Sequence, residues 1–567
     1  MSRKVPKESG IGEIPLLIKK ILVARGVKTA VAQRDFISPD YAKTKHDPFL
    51  LPDMKKAVER IVAAKKNNEK VTIYGDYDID GMTATVILWE SLGKFGLNVA
   101  TYTPDRFTEG YGLNIDAIEQ IAADGTKLII TVDNGTLSFD EIARAKELGV
   151  DVIVTDHHTP HDELPDAVAV LNPKRTDSHY PFDDLCGAGV AFKLVQALQT
   201  AVDGLPDGQE KWLLDLVALG TVCDIVSLLD ENRNNVYWGM EVLKKTRRPG
   251  LKALMAVAKV KSDEINTRRI GFVLGPRLNA AGRLETAEMA LELLKTNDNT
   301  RALALAEKLD DLNRERRAEQ DKIFTEAVAI IGDEFAGDVI VVAKEGWNEG
   351  VIGIVASKLI ERYQRPAFVL AVGATEAKGS GRSFGDFNLA AAINATRPHL
   401  IKGGGHAAAG GITVSSDKIE VWRTALGEYH QGLNLQNQSR HLLAKEDITK
   451  TTLDELSVDL VHELENLEPF GMGNEWPVFR LDNMRARFVD RVGVQKNHLK
   501  LTLEDDNGST MKFLAFNPPE SWFIEPGTKI NAWVTLEINE WNGQVSVEGR
   551  ILRLEPVNIN FCSCENL

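Results

Sequence analysis

Between residues 70 and 155 one pattern recurs: a short apolar run ends on acidic or histidine residues, and a stretch with helical spacing of apolar positions follows. Val71-Thr72-Ile73 leads into Asp76, Asp78 and Asp80, then a predicted helix over 82–92. The run 127–132 ends at Asp133 and is followed by a predicted helix over 139–148, and 150–155 ends at Asp156-His157-His158. Such β-branched runs read as buried strands. Strands alternating with helices predict a parallel sheet covered on both faces, with right-handed crossovers. Every strand then points the same way, so the acidic and histidine residues gather at the carboxyl edge, where open α/β sheets bind ligands at a switch in strand order. Asp224, after the apolar helix predicted over 212–222, is a further candidate that alone would be an ordinary helix-end residue.

Other periodicities organise the rest of the chain. Pro6, Pro15, Pro39 and Pro48 surround one short helical pattern over 16–24, which reads as an arm packed on a larger body. A helix is predicted over 55–65, with Val58, Ile61 and Val62 on one face. Residues 285–332 are rich in Ala, Leu, Glu, Lys and Arg, with Leu303, Leu305, Leu309 and Leu312 among charges, which predicts long helices joining two lobes. A second α/β unit follows: strand 339–343, helix 351–363, strand 367–371. From about 475 short alternating strands appear, such as 498–503 and 544–547, with hairpin turns at Asn507-Gly508 and Asn542-Gly543. With Trp533, Trp541, Phe513 and Phe516, most of them expected in the core, they suit a small barrel of OB type. The expected domains are an N-terminal arm (1–50), a catalytic domain (51–284), linker helices (285–335), a substrate-binding α/β domain (336–440) and a barrel with tail (441–567).

Composition narrows the function classes. The chain has 567 residues, 43% hydrophobic and 26% charged, as expected of a multidomain globular protein. No apolar run approaches the roughly 20 residues that span a bilayer, and residues 1–7 lead into no signal-like segment, so a cytoplasmic protein is expected. A net charge of −15 excludes one that coats nucleic acid over its whole surface; a polyanionic substrate must meet local basic or metal-bearing patches. Cys186, Cys223, Cys562 and Cys564 are too few for a disulfide framework, and Cys562-x-Cys564 lacks the second pair a zinc site needs.

The clustered carboxylates carry the chemistry. One Asp can cap a helix, but three at alternate positions repel one another, and a hard divalent cation such as Mg or Mn resolves the repulsion. Of the adjacent histidines, one reads as a metal ligand and the other as facing substrate. Gly379-Ser380-Gly381-Arg382, and the Gly-rich loop Gly403 to Gly411 around His406, read as phosphate grips, because glycines admit backbone N–H groups and guanidinium forks match phosphate oxygens. Arg277 and Arg382 are expected on nearby loops. Spacing alone supports only phosphoester hydrolysis.

Asp78-x-Asp80, Asp133, Asp156-His157-His158 and Asp224, in that order, resemble the four motifs of the DHH phosphoesterase superfamily. Segments 275–283, 379–383, 403–411 and 468–474 resemble its single-strand-specific exonuclease branch, and the resemblance runs from about 40 to 555. It implies an α/β fold: a parallel-sheet DHH domain and a smaller α/β DHH-associated domain joined by long helices, with a C-terminal OB-like β-barrel. The activity implied is 5′ to 3′ hydrolysis of single-stranded DNA to 5′-mononucleotides in repair and recombination. Two Mn or Mg ions about 3.5–4 Å apart are implied. Asp133 would bridge them, Asp78 with Asp76 nearby would hold one, and Asp80, His157 and Asp224 the other. His158 would face the scissile phosphate, and Asp156 would orient the histidines. Arg277, Asn279, Ser380, Arg382 and His406 would hold nucleotide phosphates, and the loop with Arg106 and Tyr111 the terminal phosphate. The branch also implies a monomer with a single-strand-binding protein and a helicase as partners. It usually carries His where this chain has Asn348, which weakens any role for that position. Two alternatives are a DHH phosphodiesterase for short oligonucleotides, whose members are shorter and lack the barrel, and a catalytically inactive replication scaffold, which would have lost acidic ligands.

Overall fold

The computed structural model describes residues 14–106, 108–433, 448–493, 496–541 and 544–557; Pro6, the Asn542-Gly543 turn, Cys562 and Cys564 lie outside them. The chain forms two compact units. One is built on His46–Val226 and the chain from Trp238 through the second α/β domain; the other joins the described residues up to Lys45, Ser227–Tyr237 and the described residues from 448 onward.

The first sheet contains β1 (Lys70–Tyr74), β2 (Asn98–Tyr102), β3 (Thr126–Val132), β4 (Asp151–Thr155) and β5 (Ala169–Leu171). All pairings are parallel and the order is β2-β1-β3-β4-β5. The chain runs outward from β1 to β2, then returns to lay β3, β4 and β5 on the other side, so the switch point lies between β1 and β3. Asp76, Asp78 and Asp80 follow β1, and Asp133 follows β3. The helix Ile79–Lys94 begins three residues before the predicted 82, because the Asp78 carboxylate accepts the Gly81 N–H at 3.1 Å and caps it. That helix packs on Gly187–Gln199 and Leu214–Cys223, and the three bury nearly all their apolar side chains.

The second sheet contains β6 (Ile340–Glu345), β7 (Ala367–Val372), β8 (Glu376–Arg382), β9 (Lys402–Gly405) and β10 (Ala409–Ser415), in the order β6-β7-β8-β10-β9. Only β6 and β7 run parallel. Here the loop expectations need correction. Arg382 ends a strand, Arg277 lies on the helix Gly275–Leu284, and Gly403 to Gly411 forms most of an antiparallel β9–β10 pair that turns at 406–408. The glycines serve packing: a Cβ on Gly381 would stand 2.4 Å from the Phe368 ring, and one on Gly403 2.8 Å from Ile393. The helix Asn299–Ile331 joins the two sheets' domains; its buried stripe runs Leu305, Leu309, Leu312, Arg316, Ile323. Ile323 and Ala327 enter the core of the second domain with Ile340, Val355 and Leu359.

In the other unit β11 (Ile448–Lys450), β12 (Val478–Val492), β13 (His498–Glu504), β14 (Thr510–Phe516), β15 (Lys529–Trp541) and β16 (Gln544–Pro556) form a sheet. Its order is β11-β12-β13-β14-β16-β15, and β12 also pairs with β15, closing a barrel. Phe513 and Trp533 are buried as expected, whereas Phe516 is exposed. The N-terminal helix Leu16–Ala24 puts Ile18, Ile21 and Leu22 into the same core as Leu499, Leu501 and Phe513. The architecture is therefore the expected α/β arrangement with a C-terminal barrel.

Candidate metal centre and phosphate cradle

Backbone geometry places the acidic residues, and backbone N–H groups hold Asp78 and Asp80 directly. Asp78 is held by its helix-capping bond. Asp80, in the first turn, accepts the N–H groups of Gly187 and Ala188 at 2.5 and 2.9 Å, at the N-terminus of Gly187–Gln199. Asp133 takes a left-handed conformation (φ 62°) as the chain leaves β3. Asp224 caps the C-terminus of Leu214–Cys223. Two glycines admit this convergence: a Cβ on Gly187 would lie 2.7 Å from the Asp133 side chain, and one on Gly220 2.5 Å from Asp80.

Three overlapping groups of ligand atoms result, each within 4.8 Å: Asp76, Asp78 and Asp133; Asp80, His157 and Asp224; Asp133, His157 and His158. His157 Nε2 stands 3.0 Å from Asp133, 3.6 Å from Asp224 and 3.8 Å from Asp80. None of these approaches has hydrogen-bond geometry, and both ring nitrogens lack a hydrogen-bond partner. Burial, then the charge of His158, depresses the His157 pKa to about 3, which leaves a neutral imidazole. Burial and mutual repulsion raise Asp76 and Asp133 well above the usual carboxylate range, Asp80 to about 6 and Asp224 to about 9. Buried carboxylate oxygens on Asp76 and Asp133 also have no hydrogen-bond partner. Orphaned oxygens, a neutral imidazole and crowded carboxyls that repel one another when ionised are what hard divalent cations would satisfy.

Asp156 plays a different part. Its Oδ2 accepts the Thr136 N–H at 3.0 Å, while Oδ1 accepts the N–H groups of His157 and His158 and the His158 Nδ1–H at 2.8 Å. It orients the His158 ring and the backbone of both histidines, but does not touch the His157 ring. Burial pushes its carboxyl up, but the bond and charge of His158 outweigh this and hold it well below the usual range. Burial likewise opposes the charge on His158, yet the Asp156 bond lifts its pKa to about 9. His158 is thus a cation at neutral pH.

The expected phosphate-binding residues divide into two sets. The His406 ring lies 6.2 Å from that of His158, nearly parallel, and Tyr111 donates to the Asp133 carbonyl at 3.2 Å with its ring edge-on to His158. The Arg106 guanidinium lies 4.2 Å over the Tyr77 ring. Arg382 donates to Ser380 Oγ at 3.3 Å. Arg277, by contrast, is committed to Asp310 at 2.8 Å and to the Val273 carbonyl at 2.7 Å, beside the π-helical turn Ile270–Leu274. Asn279 is half-buried on the same helix as Arg277. Asn348 accepts the Gly350 N–H at 2.8 Å, shaping the turn whose Gly350 carbonyl receives Arg283 at 3.1 Å.

Two arginines were absent from the expected set. Burial, then the charges of Arg106, Arg316 and Arg382, depress the Arg283 guanidinium to about 9. Four guanidiniums therefore share one neighbourhood. Arg316 is buried on the long helix, with Nε lacking a hydrogen-bond partner. Its signal was an arginine at a core-facing position of the Leu305, Leu309, Leu312 stripe.

Known proteins match this chain throughout. Residues 70–221 match the DHH family N-terminal domain, 336–431 the DHHA1 domain and 449–552 the RecJ OB domain. The chain is 41% identical to the single-stranded-DNA-specific exonuclease RecJ of Bacillus subtilis over 93% of its own length and 66% of that protein, so it spans just under two thirds of that relative. It is 32% identical to the Escherichia coli RecJ over 96% of both chains. The structure of Thermus thermophilus RecJ in complex with Mn2+ superposes with a TM-score of 0.79 at 26% identity, covering 96% of this chain and 78% of that one; its Mg2+ complex gives 0.75. With its buried acidic centre, its clustered arginines and 32% identity over 96% of both chains to the Escherichia coli protein, the chain belongs to the RecJ family of single-stranded-DNA-specific exonucleases.

Proposed function

We propose that the chain is a metal-dependent exonuclease that degrades single-stranded DNA from the 5′ end and releases 5′-mononucleotides, in DNA repair and recombination. The observation that carries the reading is the overlapping set of largely buried carboxylates and His157, their ligand atoms grouped within 4.8 Å of one another, in the same unit as Arg106, Arg283, Arg316 and Arg382. In this proposal Asp76, Asp78 and Asp133 would hold one divalent cation, Mn or Mg, and Asp80, Asp133, His157 and Asp224 a second. Bound there, the cations supply charge neutralisation at the scissile phosphate and activation of water.

The chain's own residues do the rest. His158, charged and fixed by Asp156, sets a donor against a phosphate oxygen where negative charge develops. Arg106 and Tyr111 receive the terminal phosphate. Arg382, Ser380, His406 and Asn279 hold the following phosphates, and Arg283, next to Arg106, adds a buried cation on the terminal-phosphate side of the cradle. Arg277 braces its helix against Asp310. The proposed division of labour follows the expected domains: catalysis in 51–284, substrate gripping in 336–440 and strand binding in 441–567. The family likeness supports a cytoplasmic monomer supplied with strands by a helicase and a single-strand-binding protein.

Digestion of 5′- and 3′-labelled single and double strands, in Mn, Mg and EDTA, tests the reading. Early release of the 5′ label from single strands only, abolished by EDTA, is expected. Release from the 3′ end first, or activity persisting in EDTA, would overturn it.

A further inference from the structure

A cavity of about 570 Å³ opens beside the C-terminal half of Ile79–Lys94, within the catalytic unit. Trp89, Trp212, Arg247 and Lys295 line it. Its acidic groups are already neutralised: Glu90 binds Lys94 at 2.6 Å and Arg248 at 2.7 Å, and Arg248 reaches Asp215 at 3.3 Å. The other two cations are placed differently. The Arg247 guanidinium lies 3.8 Å over the Trp212 ring, and Lys295 Nζ lies 4.5 Å over that of Trp89. Lys295 donates to Thr101 at 3.1 Å, and among the described residues no ion pair joins it or Arg247 to a carboxylate. The wall therefore offers two indoles with excess positive charge, at a volume within the range of small-molecule sites. An aromatic ring attached to an anion meets both requirements.

We propose that this cavity is a second nucleotide site, distinct from the cleavage centre, which takes a base against the tryptophans and its phosphate between Arg247 and Lys295. Trp89 and Glu90 lie on the helix that carries Asp78 and Asp80 at its start, about 15 Å along its axis. Only the choice of a nucleotide as probe rests on the proposed function.

The test is titration of the full-length chain in EDTA with 5′-dAMP, followed by tryptophan fluorescence and equilibrium dialysis. Saturable binding is expected, weakened about tenfold by Arg247→Ala and by Lys295→Gln. Deoxyadenosine and inorganic phosphate alone should each bind at least about tenfold more weakly. Competition by oligo(dT) would assign the natural occupant to a strand nucleotide, and its failure to a free mononucleotide; either supports a nucleotide site. Absence of saturable binding, or binding unchanged in both Arg247→Ala and Lys295→Gln, would overturn the proposal. Two variants guard against misfolding of one, and since no cleavage is read, the result stands apart from the fate of the nuclease reading.

Discussion

His158 donates from Nδ1 to Asp156 Oδ1 at 2.8 Å, so a carboxylate that takes no part in the proposed metal groups sets the aim of the ring nearest His406. Asp156→Asn retains the shape of this contact but removes its charge. It should lower kcat about 10- to 100-fold while leaving KM for single-stranded DNA nearly unchanged. Steady-state kinetics separates the two constants, and an unchanged kcat would remove the orienting role.

Asp133 touches both proposed ion groups and has a buried oxygen without a hydrogen-bond partner. Asp133→Ala should abolish cleavage in Mn and in Mg. In EDTA it should raise the melting temperature, because one of several mutually repelling buried carboxylates is gone. The rise in Tm that Mn gives the unsubstituted chain should shrink or vanish. Calorimetry with and without Mn checks both signs.

Acid sensitivity should arise partly at Asp53, whose carboxylate meets Arg175 at 2.6 Å and Lys56 at 2.7 Å. Burial raises its pKa, but these cations outweigh burial and leave it below the ordinary value. A depressed folded-state pKa gives stability that is present above about pH 4 and lost as pH falls through the folded value. Asp53→Asn should therefore cost about 1 kcal/mol at neutral pH and progressively less in acid. Urea melts across that range test it; a deficit that widens in acid would contradict the assignment.

The arginine cradle makes a prediction about end chemistry. Arg283→Ala should reduce kcat/KM on 5′-phosphorylated strands by about tenfold or more and on 5′-hydroxyl strands by less. It should also flatten the salt dependence of binding. Equal losses on both ends would place Arg283 outside terminal-phosphate recognition.

On the barrel, Phe488 and Phe516 are exposed, with Arg487 and Arg550 near their respective rings. Stacking of a base on such a ring contributes about 1–3 kcal/mol. Replacing both with Ala should weaken long single-strand binding at least about tenfold without affecting hydrolysis of a dinucleotide. Fluorescence anisotropy with strands of increasing length reads the effect.

The acidic strand ends were legible because the runs 128–132 and 152–155 are apolar but for one threonine each, rich in β-branched residues, and stop at Asp133 and Asp156. Strand order was not, because parallel strands of similar composition carry no mark of their neighbours. The commitment of Arg277 to Asp310 was likewise hidden, since those residues meet only when two helices pack. Arg316 was masked by the charged residues around it. The glycines of β8 and β9 looked like loops because a residue without a side chain gives the same signal in a turn as beneath Phe368 or Ile393. The N-terminal helix looked like an arm because its apolar partners lie more than four hundred residues away, in the barrel.

Asp78 both starts the helix Ile79–Lys94 and belongs to the proposed ion cluster. Asparagine caps helices as well as aspartate does. Asp78→Asn should therefore yield a folded protein that binds DNA without cutting it, a natural choice for trapping an intact strand in a crystal.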